Sequence, residues 1–268
     1  MNIYPKGYLY GTNEERIGNA VGVSYPDSLY DPKRFGNCVL WLRSDLGITK
    51  DVNNFISSWL DNSGLGNDAT VSGDPTLVTN QINGYPVIRM VGNGPFSPSI
   101  EFDGLANSFV GGGAQGYTVF TVIKIRNLAL DYDAFDLWGD GDAVKNFFFQ
   151  TNSTQICETD DADKAPFYDS DPTALTLNQW FLVEVTRQIG ATLPFVATTS
   201  WNGANIPLTY NSNGASGTLG AQTFTGSSIG PADTGDNVDL AELIVYNAPL
   251  SAPSIAEVKA YLNTRYGL

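Results

Sequence analysis

Four features of this chain bear directly on chemistry. The first is an absence: there is no histidine among the 268 residues. That removes Ser–His–Asp and Cys–His nucleophile pairs, HExxH zinc sites and every histidine general base. The second is Glu242, a glutamate in the middle of the mostly apolar run VDLAELIVYNAPLS (238–251). Strict alternation places it on one face with Leu240, Ile244 and Tyr246. Its simplest role is structural, bonding backbone or a basic side chain; catalysis is the lesser alternative. The third is a set of acidic runs: DYDAFD (131–136), DGD (140–142) and ETDDAD (158–163). Hard cations want six to eight oxygens, so Asp131, Asp133, Asp140 and Asp142 are the residues that would hold calcium, although none follows the EF-hand order. A solvated loop is the simpler reading of such runs, and no cofactor is certain. The fourth is a pair of tryptophans beside turns. Trp138 lies near Asp140, and Trp201 adjoins Asn202. An aromatic ring beside an amide or carboxylate is what a glycan site uses, and core packing is the competing explanation for both rings.

These groups must be positioned by short strands. Apolar residues are 42% and charged residues 16% of the chain, with 28 Gly and 14 Pro. That balance describes a packed domain with many turns. A chain of this length buries roughly three quarters of its unfolded surface. The formal charge is −14, which repels phosphate backbones and anionic headgroups. Neither nucleic acid nor membrane is an expected partner, and no apolar run approaches the ~20 residues of a membrane span. Cys38 and Cys157 have no metal-like spacing. They are expected as small buried hydrophobes, with a disulfide between them left open.

The strand signals begin at CVLWLRS (38–44), which sets Val39, Trp41 and Arg43 against Leu40 and Leu42. GYTVFTVIKIRN (116–127) is apolar on both faces until Lys124, as in a central, doubly covered strand. NQWFLVEVTRQ (178–188) puts Phe181, Val183 and Val185 opposite Trp180, Leu182, Glu184 and Thr186. Asn202-Gly203 signals a type I′ hairpin. The loop DNSGLGND (61–68) is simplest as a structural turn, because Gly64 and Gly66 permit positive φ. About a dozen short strands are expected, with one helix at the end. Ser251 is its N-cap, Pro253 lies in its first turn, and Gly267 takes its left-handed terminus. Ile255, Val258 and Leu262 should face the core. The expected fold is all-β, an antiparallel sandwich of two sheets with one short C-terminal helix.

Residues 1–36 differ from the body at 37–268. They hold five of the 13 tyrosines: Tyr4, Tyr8, Tyr10, Tyr25 and Tyr30. Their four basic and four acidic residues cancel, leaving the whole −14 on the rest. This stretch either wraps its own domain or forms an arm that orders on a protein partner, since tyrosine offers much contact area for little entropy.

The segments VLWLRSDLGI (39–48), SSWLDNSGLGNDATV (57–71), INGYPVIRM (82–90), YTVFTVIKI (117–125) and DLAELIVYNAPLS…EVKAYLNTRYGL (239–268) occur in a recognisable order and spacing. In that pattern the chain resembles the concanavalin A-like lectin/glucanase superfamily, in its laminin-G-like jelly-roll branch, over about 38–268. The resemblance implies a two-sheet jelly roll, a last strand lying beside the first, and a helix closing one end of the sandwich. It also implies a module that binds glycans or proteins. Hydrolytic relatives carry E-x-D-x-x-E on one strand. EFDGLA (101–106) supplies Glu101 and Asp103, but Ala106 stands where the acid/base glutamate belongs. Half of the paired-carboxylate chemistry is therefore missing, and the chain is expected not to be an enzyme. The expected function is structural attachment, as in a virion protein of the phage capsid-decoration or head-fibre type. In that setting the chain is made in the host cytoplasm and anchored by its arm to a capsid or other virion protein. MNIYPKGYLYGTNEER at the start carries no secretory pattern, which agrees with that expectation. The alternative is a carbohydrate-binding module of a phage or bacterial adhesin at the cell surface. A homo-oligomer fits either setting.

Overall fold

The computed structural model describes residues 30–93, 98–102, 104–109, 115–127, 148–149, 154–157, 167–170, 176–190, 196–211, 228–230 and 237–268. The strands are, in order, β1 (Cys38–Arg43), β2 (Ile48–Lys50), β3 (Ile56–Trp59), β4 (Ala69–Ser72), β5 (Thr76–Ile82), β6 (Tyr85–Val91), β7 (Ser99–Glu101) and β8 (Tyr117–Asn127). Then come β9 (Phe148–Phe149), β10 (Thr154–Cys157), β11 (Phe167–Ser170), β12 (Trp180–Arg187), β13 (Ala197–Trp201), β14 (Ala204–Ile206), β15 (Leu208–Asn211), β16 (Ser228–Ile229) and β17 (Asn237–Tyr246). The helix α1 spans Ala252–Tyr266.

The large sheet runs β14-β13-β12-β8-β17-β6-β5, with β1 paired to β17. A five-stranded sheet, β16-β7-β4-β3-β2, lies across from it, and β15-β11-β10-β9 form a smaller one. All pairings are antiparallel. Trp59, Ile100 and Ile229 of the second layer meet Leu40, Leu42, Val119, Ile123, Val183, Leu240 and Val245 of the large sheet in one apolar core. Leu208 and Tyr210 of β15 pack against the same core. The all-β sandwich with its C-terminal helix is what the pattern of short strands predicts.

β17 is central, as its apolar run demands: it pairs with β8, β6 and β1. The first and last strands are therefore neighbours, with Trp41 opposite Ile244 and Arg43 opposite Glu242. Asn202 and Gly203 both have positive φ (47° and 84°), and Trp201 pairs with Ala204 across them. Asn83-Gly84 forms an equivalent turn between β5 and β6.

Three expectations change. The helix does not close an end of the sandwich; it lies on the outer face of the large sheet. Val258, Tyr261, Leu262 and Tyr266 pack there on Cys38, Trp41, Val87, Phe120, Val122, Leu182, Ala241 and Ile244, making a second core. Its caps are those expected: Ser251 accepts from the Ser254 N–H, and Gly267 is left-handed at φ 69°. Second, strict alternation fails at two irregularities. A register shift between Cys38 and Leu40 puts Val39 in the inter-sheet core with Leu40 and Leu42. Another, between Leu240 and Glu242, leaves Leu240 inside while Ala241 and Ile244 face the helix. An extra residue in one strand reverses the faces beyond it.

Third, the boundary at residue 36 moves back. Tyr30 is buried and stacks on Tyr261, with ring centroids 4.0 Å apart. Pro32–Phe35 form a 3₁₀ turn capped by Asp31. Arg34 pairs with Glu257 of α1, and the Tyr246 hydroxyl donates to the Pro32 carbonyl at 3.2 Å. Residues 30–36 thus belong to the sandwich, and Tyr30 is a core residue rather than a docking side chain. Tyr4, Tyr8, Tyr10 and Tyr25 lie outside the described residues.

Candidate binding surface

The outer face of the large sheet carries three polar groups. Under α1 sits Glu242, 1% exposed. Its carboxylate accepts from Trp41 Nε1 (2.8 Å), the Tyr261 hydroxyl (2.9 Å) and the Tyr266 hydroxyl (2.8 Å). Arg265 Nε stands 3.5 Å away, and its Nη2 is 2.7 Å from Asp45. Burial pushes the Glu242 carboxyl up to about 7, opposed by the bonds from Trp41 and Tyr266, the Arg43 charge and the Tyr261 bond. Burial also raises the Tyr261 and Tyr266 phenols well above their ordinary range, so both remain donors. Every element around this carboxylate closes it off from solvent. Glu242 ties α1 to the sheet, through indole and phenol donors rather than the backbone.

Glu184 is the second group. It accepts from Thr186 (2.6 Å) and Ser200 (2.9 Å), and Lys259 of α1 stands 3.1 Å away. It is a second pin for the helix.

The third group lies farther along β17, beyond Ala241 and Ile244, the β17 residues on which α1 packs. Asp239 is fully buried. Arg89 grips it with two bonds, 2.7 Å from Nε and 2.9 Å from Nη2, a fork that suits a carboxylate. Lys124 Nζ and Arg126 Nη1 each approach the same Oδ2 at 3.4 Å. The arrangement follows from register: Arg89 is opposite Asp239, Asp239 opposite Lys124, and Lys124 opposite Trp180. One straight row therefore crosses β6, β17, β8 and β12. Lys124 Nζ sits 4.5 Å from the Trp180 ring centroid, a cation–π contact. Asn202 holds this corner, since its Oδ1 accepts from the Leu182 N–H (2.7 Å) and its amide donates to the Trp180 carbonyl (3.3 Å).

The residues singled out from sequence fare unevenly. Trp201 is 3% exposed and packs edge-on to Phe181 at 5.4 Å in the inter-sheet core. It presents no ring face to a sugar, because its position on β13 points inward. Its neighbour Asn202 serves the turn and the Trp180 corner. Trp138, Asp140, Asp131, Asp133 and Asp142 lie outside the described residues, as does Asp103. Among the described residues no group of three or more acidic or cysteine side chains could hold a metal. Glu101 is exposed on β7 and accepts from the Ser99 hydroxyl. Asp61 organises its loop: it accepts from the Trp41, Ser63 and Asn67 N–H groups, and Gly64 and Gly66 have φ 90° and 76°. Cys38 is a free, buried thiol pushed up to about 12 by burial and then by Asp61 and Asp31. Cys157 lies in β10, and its side chain is outside the described set. No helix among the described residues is long and apolar enough to cross a membrane.

An open groove of about 620 Å³, lined by Ser44, Asp45, Ile48, Lys50, Thr79 and Asn80 among others, runs beside the β5–β6 hairpin. It contains no aromatic side chain, and Asp45 is already engaged by Arg43 and Arg265.

The Arg89–Asp239–Lys124–Trp180 row was not apparent from single strands. Its signal is there in hindsight: β6, β8 and β17 each carry charge inside an apolar run, and the signs are complementary across the pairing.

A β-sandwich with a helix on its outer face is the class that these observations define. No family model matches the chain, and no curated protein matches it in sequence. Solved structures do share the fold. The binding domain of botulinum neurotoxin DC, in complex with rat synaptotagmin II, superposes with a TM-score of 0.60 at 12% identity, over 86% of this chain and 52% of that one. The binding domain of Paraclostridial Mosquitocidal Protein 1 gives 0.57 at 16% identity, over 87% and 52%. A botulinum neurotoxin type C structure, described as depending on two ganglioside molecules for cell entry, gives 0.59 at 12%, over 84% and 51%. The chain spans about half the length of these structures, and the likeness is one of fold.

Proposed function

We propose that this chain is a non-enzymatic attachment module, held to its own particle through residues 1–29 and presenting the sandwich to a binding partner. The setting that we infer is a virion surface, with the chain as a decoration or head-fibre type protein of laminin-G-like jelly-roll build. One observation carries this reading. The joint at residues 30–36 and the half-buried cation row lie at opposite ends of β17. The Tyr246 hydroxyl bonds to Pro32 at one end, and Asp239 stands seven positions away, about 23 Å at 3.3 Å per residue. A pull on the arm enters the fold at Tyr30, through the Tyr261 stack and the Arg34–Glu257 pair, and leaves the far end free. Fold-mates that are binding domains support the reading.

The test is deletion of residues 1–29, a cut placed outside the joint. The truncated chain should keep its melting temperature and disappear from purified particles. Its continued presence on particles would overturn the anchored-arm reading. A second reading, a carbohydrate-binding module of a phage or bacterial adhesin, is favoured by the cation–Trp180 row. A glycan array probed with the full chain tests it: a reproducible hit that survives removal of residues 1–29 supports it, and silence on every glycan class removes it.

A further inference from the structure

We infer that the Arg89–Asp239–Lys124–Trp180 row, with Arg126 beside it, is a binding site for the carboxylate of an acidic sugar in an otherwise neutral glycan. The inference rests on the proposal that the sandwich binds glycans, and it names the ligand class and the place.

Charge is the first argument. Three cations surround one carboxylate, so the group carries a net charge of +2 (3 − 1) on a chain whose total is −14. The buried member is the anion, at 0% side-chain exposure, whereas Arg89, Lys124 and Arg126 are 24%, 12% and 34% exposed. Only the positive groups reach solvent. Arg89 spends its fork on Asp239, whereas Arg126 gives it one long bond, 3.4 Å from Nη1, and Lys124 Nζ stands 3.4 Å off. An ammonium has three N–H donors and a guanidinium five, so each keeps donors for a second acceptor. A carboxylate arriving there would be shared by an ammonium and a guanidinium, and such charge-assisted bonds are among the stronger ones.

The second argument concerns ligand size. The −14 total repels extended polyanions, while the local +2 attracts one acidic group. A glycan with an occasional acidic unit satisfies both conditions. The third argument is Trp180. It is partly exposed, holds Lys124 against its ring and is fixed from behind by Asn202. It provides an apolar flank for the C–H face of a sugar ring directly beside the two cations. The four strands that carry the row are rigidly paired, so the site is formed before any ligand arrives.

The experiment uses the full chain with [¹⁵N]tryptophan. It has five indole N–H signals, one per tryptophan, and Trp180→Phe assigns the reporter. Methyl glucuronide should move the Trp180 signal saturably. Methyl glucoside, which carries a hydroxymethyl group in place of the carboxylate, should leave it still, and acetate should bind about tenfold more weakly than the glucuronide. The Lys124→Gln/Arg126→Gln double variant should lose at least about tenfold in affinity, the worth of one charge-assisted bond or more. Should that variant melt early, Arg126→Gln alone, the most exposed of the three cations, is read in its place. No shift with glucuronide, or an unchanged affinity in the variants, overturns the site. Equal binding of acetate overturns the sugar assignment. Array hits on neutral glycans that persist in the double variant would leave the binding module standing and remove this site alone.

Discussion

Glu242 and Asp239 lie three positions apart on one strand, and both are buried carboxylates ringed by donors, yet the surfaces above them differ. Around Glu242 the donors come from Trp41 on β1 and from Tyr261, Tyr266 and Arg265 on α1, so the helix seals the group. Around Asp239 all the partners come from neighbouring strands, and their outer sides meet solvent. The lesson is that a buried acid in this fold is a fastener in both places. What the surface can do is set by whether the helix covers the fastener's partners or leaves them open.

The sharpest way to break this comparison is Glu242→Ala. It strands three buried donors at once and leaves Arg265 without this counter-charge, and should cost about 4 kcal/mol, or roughly 10 °C in melting temperature, as read by calorimetry. A loss below about 1 kcal/mol would mean that the helix is held by packing alone. The next effect is pH dependence. The Glu242 carboxyl is raised to about 7 from an ordinary value of 4.5. A group raised on folding stabilises fully below its unfolded value, and that contribution fades as pH rises through the folded one. Stability should therefore fall between about pH 4.5 and 7, by at most about 3 kcal/mol. Glu242→Gln should flatten that slope, whereas Asp239→Asn should leave it in place. Asp239→Asn should itself cost about 2 kcal/mol, because three cations lose their counter-charge. A negligible loss would mean that the cations are solvated well enough to stand without it. The smallest effect is expected from Lys124→Gln, within about 0.5 kcal/mol of the parent, since its partner keeps the Arg89 fork. That small cost is what makes it a clean probe of binding.

Much of the architecture was legible along the chain. GYTVFTVIKIRN declares a central strand, because only a strand covered on both faces tolerates that many apolar residues in a row. Ser251, Pro253 and Gly267 mark the helix by local bonding needs that no distant contact alters. The candidate site was legible only in part. Trp201 stands beside a turn, as a sugar-binding ring would, but its place in the β12–β13 register turns it inward. Trp180, three positions along β12 from Trp201's partner Val183, is the ring that reaches solvent. Alternation also misplaced Leu240 with Glu242, because a one-residue irregularity leaves no compositional trace.

The order of apolar and polar residues therefore determined, unaided, that the chain would fold as a sandwich of short strands ending in a capped helix. Those outcomes depend on periods of two and 3.6 residues, which are local properties of backbone geometry. Only the tertiary structure decided which acid is sealed and which is ringed by accessible cations. It likewise decided that Tyr30 belongs to the core and that Trp180, rather than Trp201, faces out. Each of these depends on strand register and on where one helix comes to rest, and both are settled by side chains that meet across more than a hundred residues of chain.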